Sequence, residues 1–188
     1  MSHFAYLQTE FPAIHEAAVK AEEMALSDPR GSAFYGRRTV DLAVNWAYKH
    51  DSKLRLPYQD NLSALIHEPS FIDLAGQSIL TKAKVVIRLG NQAVHSEKVI
   101  GQHDSVSSLR ELTHITYWLA RTYSRSGVPS APTFDQGNLP KPIASLVKQT
   151  VDKLKAQQEQ LSAKDEKLSI VLADKNRLSD ELTTLREE

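Results

Sequence analysis

Apolar residues in the first part of the chain recur at helical steps. Phe11, Ile14, Ala18, Ala21 and Ala25 fall three or four apart and predict a helix. The Asp28-Pro29-Arg30-Gly31 run ends it, because proline disfavours helix at the residue before it. Ser32 is the expected cap of a second helix reaching His50, with Phe34, Val40, Val44 and Ala47 near one side. A loop holding Pro57 follows. Asp60 is the expected cap of a short helix from Asn61 to His67, stopped by Pro69. The next helix is expected from about Leu74 or Gln77 to Leu89, with Ile79, Leu80, Ala83, Val86 and Ile87 inside. Gly90 is read as its left-handed C-terminal cap. Asp104 then caps a long helix to about Ser126, carrying Leu109, Leu112, Ile115, Leu119 and Tyr123 at near-helical steps. Val85-Val86-Ile87 is β-branched but sits inside a longer helical period, and no strand alternation stands out. The expected fold is all-α, a bundle of four to five helices.

Composition divides the chain near Pro140. All 13 aromatic residues, all seven His and all seven Gly of the 188 residues precede it. Charge does not make the division, since basic and acidic residues balance on both sides. Four prolines between Pro129 and Pro142 forbid helix and favour extended backbone. The expected organisation is a helical bundle over 1–126, a Pro-rich linker over 127–142 held in part by Phe134, and a long helix over 143–188.

In that last segment Val147, Leu154, Leu161 and Leu168 recur every seven residues, Lys175 interrupts and Leu182 resumes. Val151 and Leu172 fill the companion position, but Gln158, Asp165 and Ser179 share it. A helix of this length would be a rod of roughly 70 Å. Two readings stand: a solvated spacer, or a coiled coil with itself or a partner helix. Glu187 and Glu188 oppose the helix dipole and no stop signal precedes them, so the helix is expected to be truncated and the chain to be part of a longer protein.

The chain has no cysteine, which excludes a disulfide framework, a Cys zinc site and a catalytic thiol. No apolar run approaches the roughly 20 residues that cross a bilayer, and Met1 to Glu10 lack a secretory pattern. A cytoplasmic location without membrane contact is expected. Net charge is zero, so no global attraction to nucleic acid exists. The P-loop, GxGxxG, HExxH and GxSxG motifs are absent. His103 and His114 are isolated and read as surface or core-edge residues rather than metal ligands.

One stretch carries candidate chemistry: Arg88-Leu89-Gly90-Asn91-Gln92-Ala93-Val94-His95. If the chain reverses at Gly90 and Asn91, Arg88 and His95 point into one groove. Arg holds phosphate bidentately, and His exchanges protons near neutral pH. Asn91 would orient either one. The plainer reading is that Arg and His at a helix end satisfy free carbonyls and Asn91 completes a turn. Arg38 and Asp41, three apart, form an intrahelical pair in the plainer reading. In the functional one they face Arg88 and His95 across the bundle.

Asp28-Pro29, Arg38-x-x-Asp41 and the run from Arg88 to His95 together resemble the small helical domain at the N-terminus of many type I restriction enzyme R subunits. The resemblance extends over the order of helical domain, proline-containing linker and charged helix. It implies a parent enzyme that cleaves unmodified foreign DNA with ATP and Mg, in complex with methylation and specificity subunits. This stretch of chain would be its accessory or assembly module, with no cofactor of its own. The same run is similar to the Arg-x(4–6)-His signature of HEPN domains, which include metal-independent RNases. That likeness implies Arg88 and His95 as catalytic residues in a groove at a dimer interface. Leu89 departs from it, because HEPN nucleases commonly have a polar residue just after the Arg. A third reading is a dimerisation adaptor whose working surface is the heptad helix of residues 143–188.

Overall fold

The computed structural model describes residues 2–142, and those residues form five α-helices and two short 3-10 turns. The heptad segment 143–188 lies outside the described residues, as do the long-helix, truncation and self-association readings placed on it. The helices are α1 (Pro12–Met24), α2 (Pro29–His50), α3 (Leu62–His67), α4 (Pro69–His95) and α5 (Gln102–Tyr123). The fold class is all-helical, as the periodicities predict. No described helix is long and apolar enough to cross a membrane.

The expected stripes supply the core. Phe11, Ile14, Ala18, Ala21 and Ala25 are all buried, as are Leu109, Leu112, Ile115 and Leu119 of α5. Helix α2 is central and packs against α1, α4 and α5. Its small residues make this possible: Ala33, Gly36, Ala43 and Ala47 are buried, which lets neighbouring helices approach closely.

Helix ends differ from the sequence expectation by small, explicable amounts. Helix α2 begins at Pro29, not after Ser32. The Asp28 carboxylate accepts the Gly31 N–H at 3.0 Å, and Pro29 at the first helical position has no N–H to satisfy. Ser32 is buried instead, and its hydroxyl donates to the Ala21 carbonyl at 2.7 Å, pinning α2 to α1. Asn61, not Asp60, caps α3 by accepting the Ala64 N–H at 3.0 Å. Pro69 stops α3 and also opens α4, where its missing N–H again costs nothing. Helix α5 ends at Tyr123 rather than Ser126: the Ser124 N–H still reaches the Ala120 carbonyl, but Glu10 takes the N–H groups of Arg125 at 2.7 Å and Ser126 at 3.2 Å. These bonds, with the Ser124 and Ser126 hydroxyls, lower the Glu10 pKa to about 2.

The largest difference lies in α4. Its first turns, from Pro69, are separated from the rest by Gly76 at φ 81° and ψ 155°, so the regular part starts at Gln77. Gly90 does not end it. The helix continues through Gly90 and Asn91 to His95. Gly90 serves close packing: a Cβ there would lie 2.2 Å from Arg37 Cβ and 3.0 Å from the Ala33 carbonyl oxygen.

The proline-rich segment packs onto the bundle. Leu139 is 3% exposed within the main core, and Phe134 lies against it. Contacts divide the chain after Lys141, so this segment belongs to the same compact unit as the helices.

Candidate functional site

Continuation of α4 past Gly90 changes the geometry of the candidate site. Arg88 and His95 are seven residues apart on one helix, two turns, or about 10 Å along its axis. They do not meet across a turn. They share the outer face of α4 with Asn91 and Lys84, and all four are exposed. Gln77 and Thr81 extend the same stripe toward the start of the regular helix. The stripe therefore steps by four and three residues alternately, the spacing of one helical face.

The opposite side of the run does packing work. Gly90 and Ala93 are buried, with Ala93 in a small cluster with Ala33 of α2 and Ile100 of the following loop. The Arg88-to-His95 run thus has two jobs: Gly90 and Ala93 seat α4 on α2, and Arg88, Asn91 and His95 are presented outward. Among the described residues no hydrogen bond or ion pair engages any of these three side chains. The plainer expectation, that Arg88 and His95 satisfy carbonyls at the helix end, is not what the structure holds.

Arg30 fills that role instead. Its guanidinium donates to the carbonyls of Ala93 at 2.7 Å, Ser96 at 2.8 Å and Lys98 at 2.9 Å. A planar cation from the first turn of α2 thereby caps the C-terminal end of α4 and complements its dipole. Arg30→Met should cost about 1–2 kcal/mol, partial exposure reducing the full value of charge-assisted bonds. It should also loosen the last turn of α4 selectively. Hydrogen exchange that accelerates around residues 93–98 but not in α5 would show it; uniform acceleration would refute it.

Among the described residues no hydrogen bond or ion pair joins Arg38 or Asp41 to Arg88 or His95. Arg38 lines a hollow between α1 and α2 with Glu16, Lys20, Tyr35 and Leu42. There Lys20 pairs with Glu16 at 2.7 Å and sits 5.6 Å over the Tyr35 ring. The Lys20 hydrogen bond is the main cause of a lowered Glu16 pKa, and the Arg38 charge adds a smaller contribution. Asp41 accepts from the Asn45 amide at 3.2 Å, and no ion pair joins it to Arg38 among the described residues. His114 is half-exposed and lies 3.5 Å from Glu111, which pairs with Lys82 of α4 at 2.7 Å. It belongs to a surface ion-pair group between α4 and α5. His103 is exposed.

Sequence reasoning missed Lys84, and it placed Phe34 on the apolar side of α2 with Val40, Val44 and Ala47, whereas the structure buries those three and leaves Phe34 exposed. Phe34 and Val94 are 42% and 51% exposed, on the helices that Gly90 brings together. Arg37 lies over Gly90, and its Nε is buried without a hydrogen-bond partner among the described residues. Lys84 was legible in the spacing that links it to Arg88, once the helix is extended through Gly90. Arg30 had no local signal, since its partners lie more than 60 residues away.

Comparisons with protein-family models, with curated proteins and with solved structures each gave no match to this chain.

Proposed function

We propose that this chain is the helical accessory module of a type I restriction enzyme R subunit, and that the outer face of α4 is a contact surface for its partner subunits. The observation that supports this most directly is the split use of the run from Arg88 to His95. Its small residues are consumed in seating α4 on α2, while its polar residues face outward without partners. Such a surface is suited to recognition. Its exposed Arg88, Asn91 and His95 offer donors, and Val94 and Phe34 add apolar area on the adjoining helices. ATP hydrolysis and Mg-dependent DNA cleavage belong, in this reading, to other parts of the parent enzyme. The methylation and specificity subunits are the natural partners.

One observation favours a second reading. Arg88 and His95 are both free on one exposed face, which suits a metal-independent HEPN-like RNase in which a second copy completes the groove. Against it, among the described residues no carboxylate or carbonyl orients the His95 ring, so neither ring nitrogen is preset there as base or acid.

The deciding experiment incubates the purified chain and its His95→Ala variant with labelled single-stranded RNA in EDTA. The accessory reading expects intact RNA with both proteins, each folded by circular dichroism. It also expects the chain to co-elute with methylation and specificity subunits, and Arg88→Glu to weaken that association. RNA cleavage by the parent chain alone would overturn the accessory reading and make Arg88 and His95 catalytic.

A further inference from the structure

The proline-rich segment is fastened to the bundle chiefly at two places with different chemistry, and more weakly where the Tyr117 hydroxyl donates to the Pro129 carbonyl at 3.4 Å. At its start, Glu10 grips residues 124–126 through two backbone N–H groups and two serine hydroxyls. With a pKa near 2, that carboxylate stays ionised through mild acid. The second fastening is His3.

The His3 side chain is 6% exposed and wedged between α1 and the segment. Its Nδ1 faces the Glu22 carboxylate, which is 5% exposed and also accepts the His3 backbone N–H at 3.0 Å. On the other side, His3 Nε2 receives the Asp135 backbone N–H at 3.0 Å. The ring stacks against Phe134 with centroids 4.9 Å apart, and Arg110 of α5 covers that phenyl ring at 5.6 Å. Leu139, four residues beyond Asp135, is buried in the core.

This arrangement assigns the tautomer. A backbone N–H can only donate, so Nε2 must be the acceptor and Nδ1 must carry the proton given to Glu22. The ring is neutral in this state. From these contacts we infer that His3 is a protonation-controlled latch on the segment that leads from the helices toward the rest of the chain. A second proton can enter only at Nε2. It would set an N–H against the Asp135 N–H, abolishing the bond and leaving a donor without an acceptor. Nδ1 and the backbone N–H keep facing Glu22 in either state, so His3 stays on α1 while the segment lets go.

No other charged side chain among the described residues bonds the ring or the Asp135 N–H. The Asp135 carboxylate is occupied by the Gly137 N–H at 2.8 Å and the Asn138 amide at 3.0 Å. Glu23 lines the neighbouring hollow with Glu22, Asn138 and Pro140, and Arg110 is a donor. The direction follows: the segment is held when His3 is neutral and released when acid protonates it, while the Glu10 grip persists.

The test is amide hydrogen exchange on the full chain, corrected for the intrinsic pH dependence, at pH 8 and pH 5. Protection at Asp135 and Leu139 should fall about tenfold or more on acidification, while Leu112 and Ile115 stay unchanged. His3→Phe keeps the ring stack but has no acceptor, and should show low segment protection at both pH values. Glu22→Gln keeps Nε2 and its bond to the Asp135 N–H, so segment protection at pH 8 should match the parent chain. Equal segment protection at both pH values in the parent chain would overturn the latch. So would a parent-like acid response in His3→Phe, or low segment protection at pH 8 in Glu22→Gln.

Discussion

Phe71→Ala is expected to lower the stability of the helical unit by about 3–5 kcal/mol, the range for removing a buried aromatic ring. Phe71 is 1% exposed in the first turn of α4. Its ring stacks on Tyr48 of α2 with centroids 6.1 Å apart and planes 9° apart. Trp118 of α5 meets its edge at 5.6 Å and 70°. One side chain therefore joins three helices. Gly76 isolates this first turn from the rest of α4, so the turn has little helical continuity of its own and relies on Phe71 for its place. The Tyr48 hydroxyl donates to the Leu65 carbonyl at 2.8 Å and ties α3 to the same cluster. Urea unfolding should show a lower midpoint with an unchanged slope, meaning that stability was lost without a change in the surface exposed. A loss below about 1 kcal/mol would mean that the site collapses around the gap and that the ring is not the joint described here.

Gly90→Ala carries the second large effect, and its sign separates two accounts of the same residue. In an isolated helix, replacing Gly by Ala gains about 1 kcal/mol. Here the new methyl would sit 2.2 Å from Arg37 Cβ and 3.0 Å from the Ala33 carbonyl oxygen. Neither is the end of a flexible side chain, so α2 and α4 must move apart. Overpacking of this kind costs about 1–3 kcal/mol. Truncating Arg37 to Ala should not rescue the variant, because Cβ remains. A comparison with Gly90→Asn sharpens the test. A left-handed cap tolerates Asn better than Ala, whereas a packing contact tolerates the smaller Ala better. The structure expects Ala to be the milder substitution. If Asn proved milder, Gly90 would be ending a helix in solution.

The same residue shows how far sequence reading reaches. Helical periodicity places Ile14, Ala18, Val44, Leu80 and Leu112 inside correctly because the pattern is local: residues three and four apart share a face whatever they pack against. Pro29 and Pro69 mark helix boundaries for a similar reason, since the missing N–H acts on the chain around it. Gly90 is different. Glycine meets two unrelated needs, a left-handed backbone and a close approach, and nothing beside it in the chain says which. The choice lies in Arg37 and Ala33, some 50 residues earlier, and it decided whether Arg88 and His95 faced each other across a turn or lay along one helix.

By itself, then, the sequence determined that the described residues form helices and most of the stripes that fill their core, and it singled out the short run read as the candidate site. The tertiary structure alone decided what each polar residue does. It gave the end of α4 to Arg30 and left Arg88 and His95 open. It turned Arg38 toward α1, and it closed His3 and Glu22 beneath the proline-rich segment. The reason is physical. Apolar burial depends on a side chain's place on its own helix, but a hydrogen bond or an ion pair depends on a partner that folding alone brings within about 3 Å.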